Sequence, residues 1–378
     1  MNRKKPKLLY FVTVDWFFCS HFMDRALAAR DGGYEVCVLT SAGLHRETIE
    51  KAGLRLIPLD IDRRSLNPVG TLHTLCQLVH VMRRERPDVL HPVALKPILL
   101  GGIAARITGV KRVVNAVVGG GYLFTSASVL MRGLRPLVRL ALRFLLNPPG
   151  SRVIFENQDD LAAFVHARQV RAADAVLIKG AGVNVGLFPP SDPRHAEPLV
   201  VVPARLLWDK GLGEFVAAAR LLQQQGVKAR FALVGDVDPG NRASIDNAVL
   251  DEWRANGVVE LWGFRPDMPR VLAEADIVCL PSYREGLPKA LLEAMAASLP
   301  CVTTDVPGCR EAVRDGDNGC LVPPRDHVAL AKALKRLIDA PHLRHQMGQR
   351  GRARVLAEFA SPIICQQTLQ VYERMLAS

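Results

Sequence analysis

Arg284-Glu285-Gly286-Leu287-Pro288-Lys289-Ala290-Leu291-Leu292-Glu293-Ala294-Met295-Ala296, in a run that continues to Asp326, is the stretch whose reading decides the fold. A tight loop, Ser282 to Gly286, gives way at Leu287-Pro288 to an apolar helix. Pro288 suits a first helical turn, where a missing N–H costs nothing. Glu285 therefore sits in the loop and Glu293 about a turn and a half inside the helix. The two carboxylates bracket a helix N-terminus whose free N–H groups and positive dipole end favour a bound anion such as a phosphate. After Ser298-Leu299-Pro300, Cys301 to Thr304 reads as a short strand ending at Asp305-Val306-Pro307-Gly308.

Outward from this stretch the same alternation recurs. Upstream, strands are expected at Leu8–Val14, Glu35–Thr40, Leu54–Leu59, Asp88–Pro92, Arg112–Val118, Ser151–Glu156 and Ala175–Ile178, with helices such as Ser20–Arg30, Leu72–Arg86 and Gln158–His166 between them. Leu199–Ala204, Phe231–Val234, Val258–Leu261 and Ile277–Leu280 continue the pattern. Short apolar strands alternating with helices indicate parallel sheets covered on both faces. The chain of 378 residues is long for one core and comfortable for two. The Pro-rich stretch 189–198 reads as a linker, dividing a domain over 1–188 from one over 199–360, with a final helical segment over 361–378.

Charge and cysteines narrow the class. Residues 1–190 hold 26 Lys/Arg against 14 Asp/Glu, and residues 191–378 hold 23 against 23, so the whole net charge of +12 lies in the first half. That half is expected to meet an anionic surface or substrate. The eight cysteines show no C-x-x-C pair and no Cys/His ligand spacing, and Cys37, Cys279 and Cys301 fall in apolar strand runs as core residues. The basic start, Met1 to Lys7, precedes only seven apolar residues and no small-residue cleavage site, so it reads as a first strand rather than a signal peptide. No run of about 18 apolar residues marks a spanning helix. The expected compartment is the cytoplasm.

The Glu-x7-Glu spacing, with Gly-Leu-Pro after Glu285 and Glu-Ala-Met-Ala at Glu293, resembles the family-4 retaining glycosyltransferases of GT-B fold. Pro281-Ser282 before it, and Thr304-Asp305-Val306-Pro307-Gly308 to Glu311, then Gly319-Cys320-Leu321-Val322-Pro323 after it, stand in the family's order. The resemblance implies an α/β fold of two doubly wound, Rossmann-like domains facing a cleft, with the C-terminal helix crossing back to the first. Ala204-Arg205-Leu206-Leu207-Trp208-Asp209-Lys210-Gly211 resembles the element whose two cations, here Arg205 and Lys210, hold the donor diphosphate. The physics agrees, because preorganised cations lower the barrier where a leaving nucleoside diphosphate gains charge. By the same resemblance Glu293 accepts the donor ribose hydroxyls and Glu285 approaches the transferred sugar. Gly286, Leu287 and Pro288 line sugar and phosphate, and Gly263, Phe264 and Arg265 stand where the base edge is received.

In the first half, Asp15-Trp16-Phe17-Phe18-Cys19-Ser20-His21 follows strand one. It resembles the subgroup that extends polyprenyl-diphosphate-linked saccharides in surface polysaccharide and O-antigen assembly, which places Asp15 and Trp16 toward the acceptor and His21 among the catalytic candidates. Many members carry a His at the strand end where this chain has Val118-Gly119-Gly120-Gly121. Glycine there, Gly120 in particular, allows close backbone approach to a ligand, and His91, at the end of the preceding strand, is the alternative imidazole.

Between Asp88 and Glu156 there is no acid in 67 residues, and Arg132, Arg135, Arg139 and Arg143 fall on one helical face among leucines. This reads as an interfacial element for anionic lipid headgroups, beside the blander reading of a core helix with a solvated basic face. The expected partners are a UDP-sugar, a lipid-linked saccharide and the anionic inner face of the membrane, with no nucleic acid. Asp236-Val237-Asp238 matches a metal-binding D-x-D, but so do Asp60-Ile61-Asp62 and Asp315-Gly316-Asp317, and neither metal nor cofactor is expected. No G-x-G-x-x-G follows strand one, which argues against a dinucleotide-dependent dehydrogenase. A glycosidase acid/base pair fails because one carboxylate lies in a helix interior beside cations suited to a diphosphate. A UDP-sugar epimerase of the same fold and a non-catalytic sugar-nucleotide-binding scaffold remain as alternatives.

Overall fold

The seven apolar runs of the first half become β1 (Lys7–Val14), β2 (Glu35–Ser41), β3 (Arg55–Pro58), β4 (Val89–Pro92), β5 (Val113–Val117), β6 (Ser151–Phe155) and β7 (Ala175–Leu177). In the computed structural model, which describes residues 5–61, 67–118, 129–191, 195–241 and 243–377, they form one parallel sheet in the order β3-β2-β1-β4-β5-β6-β7. A second parallel sheet takes β8 (Leu199–Pro203), β9 (Arg230–Val234), β10 (Glu260–Gly263), β11 (Ile277–Leu280), β12 (Cys301–Thr304) and β13 (Gly319–Val322), in the order β10-β9-β8-β11-β12-β13. All five residues of β8 are buried, as expected of a strand covered by helices on both faces. The strand β13 is one the apolar pattern alone did not announce.

The chain forms two compact units: Met1–Ala181 with Ser361–Ser378, and Gly182–Ala360. The Pro-rich stretch is therefore not the connection it was expected to be. Phe188 is buried in the second unit's core, the Ser191 amide donates to Ala297 O at 2.8 Å, and His195 Nδ1 lies 2.9 Å from Asp276 Oδ2. Proline content marks irregular backbone at a surface, and here that backbone is fastened to the second unit. A second difference follows β1. One helix was expected over Ser20–Arg30, but helices Asp15–His21 and Met23–Asp31 run almost without a break. Phe18 and Phe22, four apart, pack on Tyr10 with ring centroids 5.6 and 6.2 Å away, so the aromatic run is helical rather than extended.

The helix Ser361–Ala377 returns to the first unit and lies on the helix Met23–Asp31. Ser361 Oγ donates to Asp24 Oδ2 at 2.7 Å, and Tyr372 enters the core. There Tyr372 Oη is 2.8 Å from Tyr10 Oη and 2.6 Å from His91 Nδ1, while the His91 ring stacks on Tyr10. His91, the alternative catalytic imidazole, is thus sealed in the core, with no solvent exposure. Burial, and then the Arg25 charge, push its pKa well below the ordinary 6.5. A base held neutral in the fold binds its proton first in the unfolded chain. Stability should therefore decline as pH falls below about 6.5, by up to about 1.4 kcal/mol per unit until the folded-state value is passed. Urea titrations at pH 7.5, 6.5 and 5.5 check this, and a His91→Asn variant should lack that part of the slope.

Candidate active site

In the second sheet β8 and β11 are neighbours, yet the chain leaves β8 toward β9 on one side and β11 toward β12 on the other. Such a switch point opens a crevice at the carboxyl ends of the strands. Two loops meet there, Ala204–Gly211 after β8 and Pro281–Pro288 after β11. Gly211 has φ +70°, and a side chain on it would collide with the Pro281 carbonyl, so only glycine lets the loops approach this closely. Gly308, φ +79°, faces the carbonyls of Glu285 and Gly286 in the same way. From β12, Thr303 Oγ1 donates to Leu280 O at 2.6 Å and Thr304 Oγ1 donates to Ser282 O, fixing the second loop from below.

This packing brings distant residues into one cluster. Lys210 Nζ donates to Glu285 Oε1 at 2.5 Å across 75 residues of sequence, and Ser282 Oγ donates to the same oxygen at 2.7 Å. Both charged side chains are mostly covered, 19% and 12% exposed, which raises the strength of their attraction above that of a surface pair. Arg205 Nη1 donates to Asp238 Oδ2 at 2.7 Å. Glu293 lies on the helix Lys289–Ala296, one turn from Lys289 and 3.5 Å from its ammonium. Burial pushes the Glu293 carboxyl above its ordinary range, with Lys289 partly countering it. The arrangement offers two acid-held cations and the N-terminus of an apolar helix, chemistry suited to stabilising an anionic group.

Two family models account for most of the sequence. Residues 7–148 match "Glycosyl transferase 4-like", and residues 197–340 match "Glycosyl transferases group 1". The chain belongs to the family-4 glycosyltransferases. Relatives of similar length align from end to end. The chain is 27% identical to N,N'-diacetylbacillosaminyl-diphospho-undecaprenol alpha-1,3-N-acetylgalactosaminyltransferase of Campylobacter jejuni, over 92% of this chain and 93% of that protein. It is 26% identical to the putative glycosyltransferase EpsD of Bacillus subtilis, over 93% and 92%. Among solved structures, sucrose-phosphate synthase of Thermosynechococcus elongatus superposes with a TM-score of 0.80 at 21% identity, over 99% and 100% of the two chains. Anabaena HepE in complex with UDP gives 0.78 at 20%, over 98% and 100%. The fold is GT-B.

Within this glycosyltransferase, the expected donor-side residues distribute unevenly. Lys210, Glu285, Gly286, Leu287 and Pro288 stand at the switch point, and Arg205 begins the same β8 loop. Gly263, Phe264 and Arg265 stand at the end of the edge strand β10, two places along the sheet from β8. Phe264 is 72% exposed, while Arg265 is held by Asp267 through two hydrogen bonds of 2.7 Å. In the sequence Ser282 and Tyr283 stand out only through the motif that contains them, and Asp238 only as one end of a D-x-D. Asp238 is the partner of Arg205, a role no spacing rule announces, because the two meet only when β8 and β9 pair.

In the first unit, Asp15 does not present its carboxylate to solvent. It is buried, and Oδ2 accepts the Gly43 and His45 amides at 2.7 and 3.0 Å, holding the loop after β2. Trp16 is 36% exposed beside it. His21 ends the helix Asp15–His21, its ring stacked on Phe17 at 4.2 Å. Gly120 lies outside the described residues, as do the side chains of Arg132 and Arg135. The helix Val129–Leu145 runs through Pro136, and Arg139 and Arg143 are exposed on it. Its inner face reaches the core through Leu142 and Leu145, while Leu137, Leu140 and Phe144 remain outside.

Proposed function

We propose that this enzyme moves a hexose or N-acetylhexosamine, with retention, from a UDP-sugar to a saccharide carried on undecaprenyl diphosphate during surface polysaccharide assembly. The observation that carries the donor half is the Lys210–Glu285 contact at the switch point, backed by Arg205 and the helix bearing Glu293. In this reading the acceptor hydroxyl oxygen bonds to the anomeric carbon as that carbon's bond to the phosphate oxygen breaks. The hydroxyl proton passes to the departing diphosphate, so no side-chain base is needed, and Lys210 and Arg205 take up the growing negative charge. Glu285 orients the Lys210 ammonium and lies toward the transferred sugar, and Glu293 accepts the ribose hydroxyls. The acceptor half is supported by the end-to-end likeness to the Campylobacter jejuni enzyme, whose name specifies a diphospho-undecaprenol acceptor.

A lipid-linked acceptor keeps its diphosphate at the bilayer surface, and the proposed site of action is the inner face of the cell membrane. No helix among the described residues is long and apolar enough to cross a membrane. Docking is assigned to the helix Val129–Leu145 and its neighbour Leu95–Thr108. Leu137, Leu140 and Phe144 are each more than 60% exposed, Ile103 and Ile107 add to them, and the Arg106 guanidinium lies 3.7 Å over the Phe144 ring. Arg139 and Arg143 supply charge worth about 1 kcal/mol each near an anionic surface.

The test is UDP release from a panel of UDP-sugars, with and without polyprenyl-diphosphate saccharide in anionic vesicles. Release that requires the acceptor is expected. Epimerised donor without acceptor, or donor binding without any turnover, would overturn the reading.

A further inference from the structure

Each sheet also has a cavity at its opposite, amino-terminal edge. One is lined by Arg83, Arg86, Lys111 and Arg112, the other by His195, Lys228, Lys335 and Arg344. Both gather helix C-termini, whose negative dipole ends account for the cations by themselves. The Tyr283 hydroxyl donates to Glu214, lying 2.7 and 2.8 Å from its two carboxylate oxygens, and the Tyr283 amide donates to the Asp209 carbonyl at 2.9 Å. Asp209 immediately precedes Lys210, and Glu214 is four residues after it in the first turn of the helix Leu212–Gln224. One tyrosine therefore grips the chain on both sides of Lys210, and Tyr283 itself lies two residues from Glu285.

We infer that Tyr283 and Glu214 are positioning residues that hold the Lys210 ammonium at the place where the leaving diphosphate develops charge. This rests on the reading of Lys210 given above and extends it to two side chains that do not touch the donor in that reading. The geometry leaves Tyr283 little else to do. Its hydroxyl is spent on Glu214, and the exposed Arg325 guanidinium covers its ring at 3.9 Å. Burial and the neighbouring Glu214 carboxylate push the phenol up to about 12, so it stays a hydrogen-bond donor throughout the working range. The turn it clamps is short: Trp208–Lys210 is a single 3-10 turn ending at Gly211 in the left-handed region, tied at its start by the Trp208 amide donating to Ala243 O at 2.8 Å and gripped on the side of the second loop by Tyr283. A small rotation of that turn would move the ammonium off the phosphate, and misplacement on the scale of 1 Å costs rate far more than affinity.

The experiment is a double-mutant cycle read in kcat. Tyr283→Phe removes only the hydroxyl and should lower kcat about tenfold, the effect of one hydrogen bond to a charged group. Glu214→Gln, losing the charge, should lower it less. In a Lys210→Ala background, Tyr283→Phe should change kcat less than twofold, because the group it positions is gone. A purely structural role would instead give the same fold-loss in both backgrounds, together with a lowered thermal midpoint, and would overturn the inference. So would wild-type kcat in Tyr283→Phe. Wild-type kcat in Lys210→Ala alone would overturn the reading of Lys210 itself, and the positioning role with it.

Discussion

Lys210→Ala should lower kcat by about two orders of magnitude, the scale set by removing one preorganised donor from a transition state that gains charge. Arg205→Ala should have a similar effect. The two differ in what they leave behind. Arg205 is 44% exposed, so water can enter its place and solvate the mostly covered Asp238, and its loss should cost only about 1 kcal/mol of stability. Lys210 is mostly covered, and removing it leaves Glu285 without its cation. That carboxylate still accepts the Ser282 hydroxyl, and Ser282 is held in turn through its carbonyl by Thr304, so the loss of stability stays at about 1–3 kcal/mol. The rate effect is then separable from folding by measuring kcat well below the melting temperature of each variant. Turnover within threefold of wild type would remove Lys210 from the mechanism.

The largest stability effect is expected at Tyr372. Tyr372→Ala should destabilise the first unit by about 3–5 kcal/mol, the range for deleting a large buried aromatic. The ring is fully buried, and its hydroxyl is the shared partner of Tyr10 and His91. Tyr372→Phe separates the two contributions. It keeps the ring, leaves the His91 Nδ1 and Tyr10 hydroxyl groups unsatisfied, and should cost about 1–3 kcal/mol. Urea midpoints of the three proteins decide the matter: an alanine variant within 1 kcal/mol of wild type would mean that the returning helix is not a working part of that core.

Much of this is legible in the amino-acid sequence. Parallel α/β architecture follows from apolar runs of four to eight residues alternating with helices, and the helix expected over Gln158–His166 is the one observed, with Asn157 capping its start and accepting the Asp160 amide. The cluster at Glu285 was readable because motif, helix start and strand end sit within one continuous stretch. What could not be read was pairwise contact. Asp238 meets Arg205, and Tyr283 meets Glu214, only through sheet pairing across tens of residues. His91 looked available because strand ends often face solvent, but its side chain alternates to the face that the last helix covers. Asp15 stands among the acceptor candidates by resemblance alone, and in the fold the loop after β2 takes its Oδ2 while the Trp16 amide takes its Oδ1. The linker was misplaced because proline content reports irregular backbone and not where contacts cease.

The return of residues 361–377 to the first unit has a consequence for how the protein is made. A ribosome releases the chain from its N-terminus, so the seven strands of the first sheet emerge early, with Tyr10 and His91 still lacking Tyr372. The segment that covers them emerges only after every residue of the second unit. During that interval an unfinished aromatic surface is open to the holdase chaperones that bind nascent chains. A gene cut after codon 181 would leave its product in that condition permanently, and supplying residues 361–377 as a separate peptide should bring it out.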